Sequence, residues 1–340
     1  MRDVMGVCHG SSMEAATWHE TTLRLLAASA IEAGIELGVL GQLDSAASAG
    51  EPVSARLVAT RCGLDLREAL LILDALVGCG VVALDDGGYR SLVDPGVVAM
   101  AVKSARSVLP MLRGAGPAQR VDLAEQAAAL YPDVVALLAD LVAPTAAWVA
   151  DLLAASAVAT GAATTVLEVA AGQAPYGRAC SARGMEVTAL DLPPVIDRLR
   201  SAESTESAGD GAARLRLVAG NVFDVDLRDR YDAVIVAGFC RLHGAEANQR
   251  LFERCRSWLQ PGGRLVVVDA VASPDATRRG LGLYALGLAT RTGSGRVHGV
   301  EDYRSWFARA GCGPVRVHEM DRPELTVMWA TRSAEAHREG

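Results

Sequence analysis

The sequence predicts an α/β chain, with a mostly α-helical N-terminal part ahead of a domain built on a parallel sheet. Five short apolar runs in the C-terminal half carry the second element of that prediction: TTVLEVAAG, GMEVTALDL, RLRLVAGNVF, YDAVIVAGF and GRLVVVDAV. Separated by helical or polar stretches, such runs suit strands buried on both faces. Ahead of them, apolar residues recur at helical spacing. The length of 340 residues, 51% hydrophobic and 21% charged, matches about two folded domains and excludes wholesale disorder.

Taken in order, residues 1–14 read as a flexible tail. From Thr17 to Leu43 the spacing is helical, with Gly38 and Gly41 marking a break between helix ends. A short helix, a turn at Gly63 and a second helix from Asp65 follow. Val81–Leu84 and Tyr89–Leu92 flank a D-D-G-G turn, a hairpin signal. Helix, turn, helix and hairpin make a winged-helix unit, placed at residues 15–110. In nucleic-acid readers the second helix of such a unit carries basic and amide groups. Here LREALLILDALV sets one Arg67 against Glu68 and Asp74, and the whole chain has net charge −7. Both features argue against a nucleic-acid partner. An apolar helix of this kind suits a dimerisation face, so a homodimer is expected.

Residues 111–160 read as linking helices, with breaks at 114–119 and near Pro144. The sheet domain spans 161–333, with a polar connection at 201–213 and a closing strand pair in GPVRVHEM and ELTVMWATR. Residues 334–340 read as a second tail. The seven cysteines are scattered, odd in number and without a C-x-x-C pair. That pattern suits a reducing compartment, and a cytoplasmic location is expected. The N-terminus lacks a signal-peptide layout and no uninterrupted apolar run reaches membrane-span length, so no membrane partner is expected.

The site signals begin at the first strand, which ends in EVAAGQAPYG, Glu168 to Gly177. A glycine directly after a strand lets the backbone approach a ligand closely and start a helix. Nineteen residues beyond Gly172, the second strand ends at Asp191, where an acid hydrogen-bonds a ribose diol.

From Thr17 to Arg332 the chain resembles small-molecule methyltransferases that carry a winged-helix dimerisation domain before a class I, Rossmann-like S-adenosylmethionine (SAM) domain. The matching stretches are VLEVAAG, VTALDLPPVI, LVAGNVF, LQPGGRLVVVDAV and WFARAG. The resemblance implies that Gly172 borders the amino-acid moiety of SAM, that Asp191 holds the ribose, and that Asn221 and Phe223 lie near the adenine. Glu168 takes the acidic position of the first motif. Three departures stand out. Ala174-Pro175 replaces the second glycine of the loop, and Asn221 stands where an acid is common. Counted without a gap, Arg241 occupies the usual general-base histidine position, with His243 two residues on. Arginine stays protonated near neutral pH and is no base there.

His243 and His298 look like the metal pair of a narrower group, the C-methyltransferases acting on carbon 3 of α-keto acids in peptide-antibiotic biosynthesis, described with iron or zinc. That resemblance implies an α-keto acid partner, such as phenylpyruvate or indolepyruvate. Its chemistry is a metal-stabilised enolate that attacks the sulfonium methyl. Guanidinium groups match carboxylates, which makes Arg241, Arg120 and Arg113 candidates for binding the acid. Two alternatives stay open. One is a small-molecule O-methyltransferase with His243 as general base. The other is a methyltransferase-like enzyme with chemistry other than methyl transfer.

Overall fold

Alternate residues of each central strand enter opposite cores, as the two-residue period of a strand dictates. The computed structural model describes residues 8–48, 53–86, 88–160, 164–206, 215–272, 279–320 and 325–333. These fall into two compact units, 1–106 and 107–340.

In the first unit, α1 (Cys8–Glu36) and α2 (Val39–Ser48) are separated at Gly38, whose φ of 73° is left-handed. The predicted break lies there and not at Gly41, which sits inside α2. The helix also reaches back to Cys8, into the expected tail. Helix α3 (Ala55–Cys62) closes on Gly63, and α4 (Leu66–Gly78) opens on a reciprocal capping box between Asp65 and Glu68. Strands β1 (Val82–Asp85) and β2 (Gly88–Ser91) pair antiparallel, and α5 (Pro95–Pro110) follows. Leu40, Leu43, Val58, Leu73, Leu76 and Val82 fill this unit's core.

The second unit takes in the last residues of α5, passes through a π turn at Met111–Ala115, whose last two residues fall in the predicted break, and continues in α6 (Ala124–Thr160). Pro144 does not interrupt α6 as expected. Ala146, Val149, Ala150 and Leu153, in the turns after it, are buried against the sheet, which holds the helix together across the missing N–H. The stretch Leu138–Ala155 of α6 is also long and apolar enough to cross a membrane, with mean hydropathy 1.4. Asp140, Thr145 and Asp151 interrupt it, so it is not an uninterrupted apolar run, and the four residues just named are core residues.

The sheet follows: β3 (Thr165–Val169), α7 (Pro175–Ser181), β4 (Glu186–Asp191), α8 (Pro193–Glu206), β5 (Arg216–Ala219) and β6 (Tyr231–Ala237). Next come α9 (Ala245–Trp258), β7 (Leu259–Asp269), β8 (Val271–Ala272), α10 (Arg279–Ala289), β9 (His298–Gly299) and α11 (Val300–Arg309). The closing pair is β10 (Arg316–Glu319) and β11 (Thr326–Thr331). Residues 207–213 of the expected polar connection and the tail 334–340 lie outside the described residues.

The seven strands order as β10-β11-β7-β6-β3-β4-β5. β5, β4, β3, β6 and β7 run parallel, and β11 and β10 antiparallel. Leu167, Val234, Val236, Leu265 and Val267 pack on one face with Phe252, Trp258, Trp306 and Phe307 of α9 and α11. Val166, Ile235, Val266 and Val268 pack on the other with α6, α7 and α8. Strand order reverses between β3 and β6, so a crevice opens beyond their C-terminal ends, where ligands of open α/β sheets bind.

Candidate active site at the strand tips

The loop after β3 carries three left-handed residues, Ala170 (φ 53°), Gly172 (φ 58°) and Ala174 (φ 53°). Alanine at 170 and 174 therefore keeps a backbone path that glycine adopts without strain. Ala174 is fully buried, and Pro175 occupies the first helical position of α7, where its missing N–H costs nothing. The Ala174-Pro175 departure thus leaves the loop's path intact.

Two carboxylates hold this loop. Glu168, 2% exposed within β3, accepts from the N–H of Gly177 at 2.6 Å and of Tyr176 at 3.4 Å. Burial drives its pKa up to about 8, against the pull of those two hydrogen bonds. Glycine is required at 177, since a Cβ there would stand 2.7 Å from Glu168 Oε2. Asp191, at the tip of β4, accepts from Gly172 N–H at 2.7 Å and Leu192 N–H at 2.6 Å. Burial raises its pKa, and the two backbone donors oppose that rise. It ties the loop after β3 to the tip of β4.

Beyond β5, Asn221 Oδ1 accepts from Phe223 N–H at 3.0 Å and shapes a tight turn. The Phe223 ring meets His243 edge-on at 5.4 Å, and Phe239 tilts against the same imidazole at 4.5 Å. Asp191, Asn221, Phe223, Phe239 and His243 all line one cleft of about 450 Å³, together with Val121 and Asp122. His243 is 8% exposed, and its pKa falls to about 4. Burial is the main cause, Asp122 pulls the other way, and Arg250 adds to the fall. Its imidazole is therefore neutral near pH 7, with a lone pair to offer.

The structure does not join His243 and His298 into a metal centre. His298 is 1% exposed and lies outside the cleft lining. Its Nε2 donates to the His243 carbonyl at 2.9 Å, and its Nδ1 faces Arg296 Nε at 3.3 Å. Both ring nitrogens are thus occupied, and His298 braces the His243 backbone instead of presenting a ligand. Among the described residues, no three His, Cys, Asp or Glu side chains gather as a metal site. The donor set does not fit iron or zinc.

Two of the three candidate arginines are likewise committed. Arg241 pairs through Nη1 with Asp269 Oδ1 at 3.0 Å, gives its backbone N–H to Asp269 Oδ2 at 3.0 Å, and lies over the Tyr284 ring. Asp269 is fully buried, so this pair welds the tips of β6 and β7 together. Arg120 is paired to Asp122, and Arg113 is exposed in the π turn. Sequence reasoning missed Asp269 and Asp122. The first carried a weak signal, an acid closing the apolar run VVVD; the second carried none.

Residues 145–312 match the family model of the O-methyltransferase domain. Mouse acetylserotonin O-methyltransferase is 30% identical over 151 residues, which is 43% of this chain and 38% of that protein. The matched stretch thus spans well under half of the curated relative's length. Among solved structures, human N-acetylserotonin methyltransferase in complex with SAM aligns with a TM-score of 0.71 at 15% identity, covering 98% of this chain and 100% of that one. Mitomycin 7-O-methyltransferase aligns with a TM-score of 0.69 at 17% identity, covering 96% and 100%. At these identities the structural matches speak for the fold: an α/β sheet domain preceded by a helical N-terminal domain.

Proposed function

We propose that this chain, whose residues 145–312 match the family model of the O-methyltransferase domain, is a SAM-dependent methyltransferase that methylates a hydroxyl group of a small molecule. The observation that carries the reading is a single cleft holding both Asp191, at the tip of β4, and the neutral imidazole of His243.

The residues at the strand tips fit SAM. The lone pairs of Asp191 not used by Gly172 and Leu192 suit the ribose hydroxyls, and Gly172 lets the backbone approach the amino-acid end. Asn221 and Phe223 supply a polar edge and an aromatic face for the adenine. Bound there, SAM supplies an electrophilic sulfonium methyl. Opposite it, His243 takes the proton of the acceptor hydroxyl. The charge of Asp122 supports the imidazolium so formed, since it already raises the proton affinity of that ring.

Methylation of an α-keto acid through a metal-bound enolate has no fitting donors here, because His298 is engaged at both nitrogens and Arg241 is paired with Asp269. The test is transfer of label from methyl-labelled SAM to a panel of phenols and aliphatic alcohols. His243→Ala should lower kcat by at least about 100-fold with SAM affinity within threefold, as expected on losing a general base. Label appearing on 2-oxo acids and on no hydroxyl compound would contradict the reading.

The N-terminal unit supports a homodimer. Trp18, Leu23, Leu25 and Leu26 of α1 are 53–70% exposed, and Leu71 of α4 is 62% exposed. A second copy of this chain is the occupant that would cover so much apolar surface. A cytoplasmic location fits Cys62, Cys79, Cys180, Cys240, Cys255 and Cys312, which are free thiols.

A further inference from the structure

Val121 and Asp122 reach the cleft from a short irregular stretch, ending in a turn, between the π turn and α6. Two backbone hydrogen bonds lay this stretch along the loop after α10: Ala118 N–H to Thr290 O and Val121 N–H to Arg291 O, both 2.9 Å. Side chains then fasten it. Gly293 N–H donates to Asp122 Oδ1 at 3.2 Å, while Arg120 grips the same carboxylate at two points, Nε to Oδ1 and Nη2 to Oδ2, each 2.9 Å. The guanidinium lies against Gly293 so closely that a Cβ there would stand 2.5 Å from Arg120 Cζ. The backbone of Gly293 is not left-handed, so packing and not φ demands glycine at this position. Upstream, Gly114 (φ 93°) and Gly116 (φ 74°) supply a turn about which the stretch can pivot.

We propose that Arg120, Asp122 and Gly293 form a clasp that sets how long the cleft retains its cofactor. This rests on the reading that the cleft holds SAM. One wall of the cleft is the clasped stretch, so a bound nucleoside leaves when that wall lifts. Lifting breaks the Gly293–Asp122 bond and the two backbone bonds together, while Arg120, on the same stretch as Asp122, holds the carboxylate in place to accept from Gly293. Two-point guanidinium–carboxylate contacts are directional, so Arg120 fixes the Asp122 carboxylate against Gly293, and the Gly293 bond to that charged acceptor is the strongest of the three ties across. Arg120 and Asp122 are thereby positioning residues, and Arg120 is not the acceptor's carboxylate partner.

The test is the dissociation rate of S-adenosylhomocysteine from the full-length protein, followed by stopped-flow displacement. Arg120→Ala and Gly293→Ala should each speed dissociation about tenfold with melting temperatures within about 3 °C of the unmutated chain. Their combination separates the contact from general damage. With the guanidinium gone, Gly293→Ala meets nothing, so the double variant should be within twofold of Arg120→Ala. If Gly293→Ala does not fold, Asp122→Asn takes its place and should match Arg120→Ala. Dissociation rates within twofold of the unmutated chain would overturn the clasp, as would a double variant whose effects multiply. An unmutated chain that binds no S-adenosylhomocysteine would overturn the cofactor reading itself, and the clasp with it.

Discussion

Ala170 and Ala174 hold left-handed backbone that costs an L-residue about 1–2 kcal/mol each. The strain persists because Glu168 and Asp191 pin both ends of the loop through backbone N–H groups. Replacing Ala170 by glycine relieves strain but adds unfolded-state entropy, so stability should change by less than about 1 kcal/mol. A β-branched side chain is far worse at such φ, and Ala170→Val should lower stability by about 2 kcal/mol or more in chemical denaturation. Equal stability of the glycine and valine variants would show that the loop is not strained.

His243 gives a pH signature with a definite sign. Its pKa of about 4 in the folded state lies below the ordinary 6.5, so between those values the unfolded chain binds a proton that the native chain refuses. Stability is therefore lost as pH falls from 6.5 towards 4, by up to about 3 kcal/mol from this residue. His243→Gln should flatten that part of the stability–pH curve, and an unchanged slope would show that the ring is not buried. Reading the sequence located His243 and Asp191 because each sits at the tip of a recognisable strand. It gave no sign of what engages His298 and Arg241, because the His243 carbonyl and Asp269, 55 and 28 residues away, reach them only through the fold.

At the scale of elements, the sheet was legible because its strands are buried on both faces and read as continuous apolar runs. The hairpin was legible from its D-D-G-G turn, and α4 from its capping residues. Asp65→Ala should destabilise the N-terminal unit by about 1 kcal/mol, since both halves of the capping box are in place. Circular dichroism melts would check this, and an unchanged melt would mean that tertiary packing alone holds the start of α4. Less legible was α6. Pro144 signals a break locally, yet the burial of Ala146, Val149 and Leu153 outweighs it, and that burial depends on a sheet formed later in the chain. The two-residue strands β8 and β9 gave no periodic signal at all, although β9 is what carries His298.

For the whole molecule, the exposed leucines of α1 and α4 predict self-association of the intact chain. Light scattering at micromolar concentration should give twice the monomer mass of 35.5 kDa. A fragment beginning near Thr145 should scatter as a monomer, and a monomeric intact chain would contradict the dimer.

The central claim is that the strand tips bind SAM through Asp191. Calorimetry of the purified chain with SAM tests it most directly. The account predicts one site per chain, weakened at least about tenfold by Asp191→Ala, because hydrogen bonds to a charged group contribute about 1.5–3 kcal/mol each. Absence of SAM binding to the unmutated chain, or equal affinity in the Asp191→Ala variant, would contradict it.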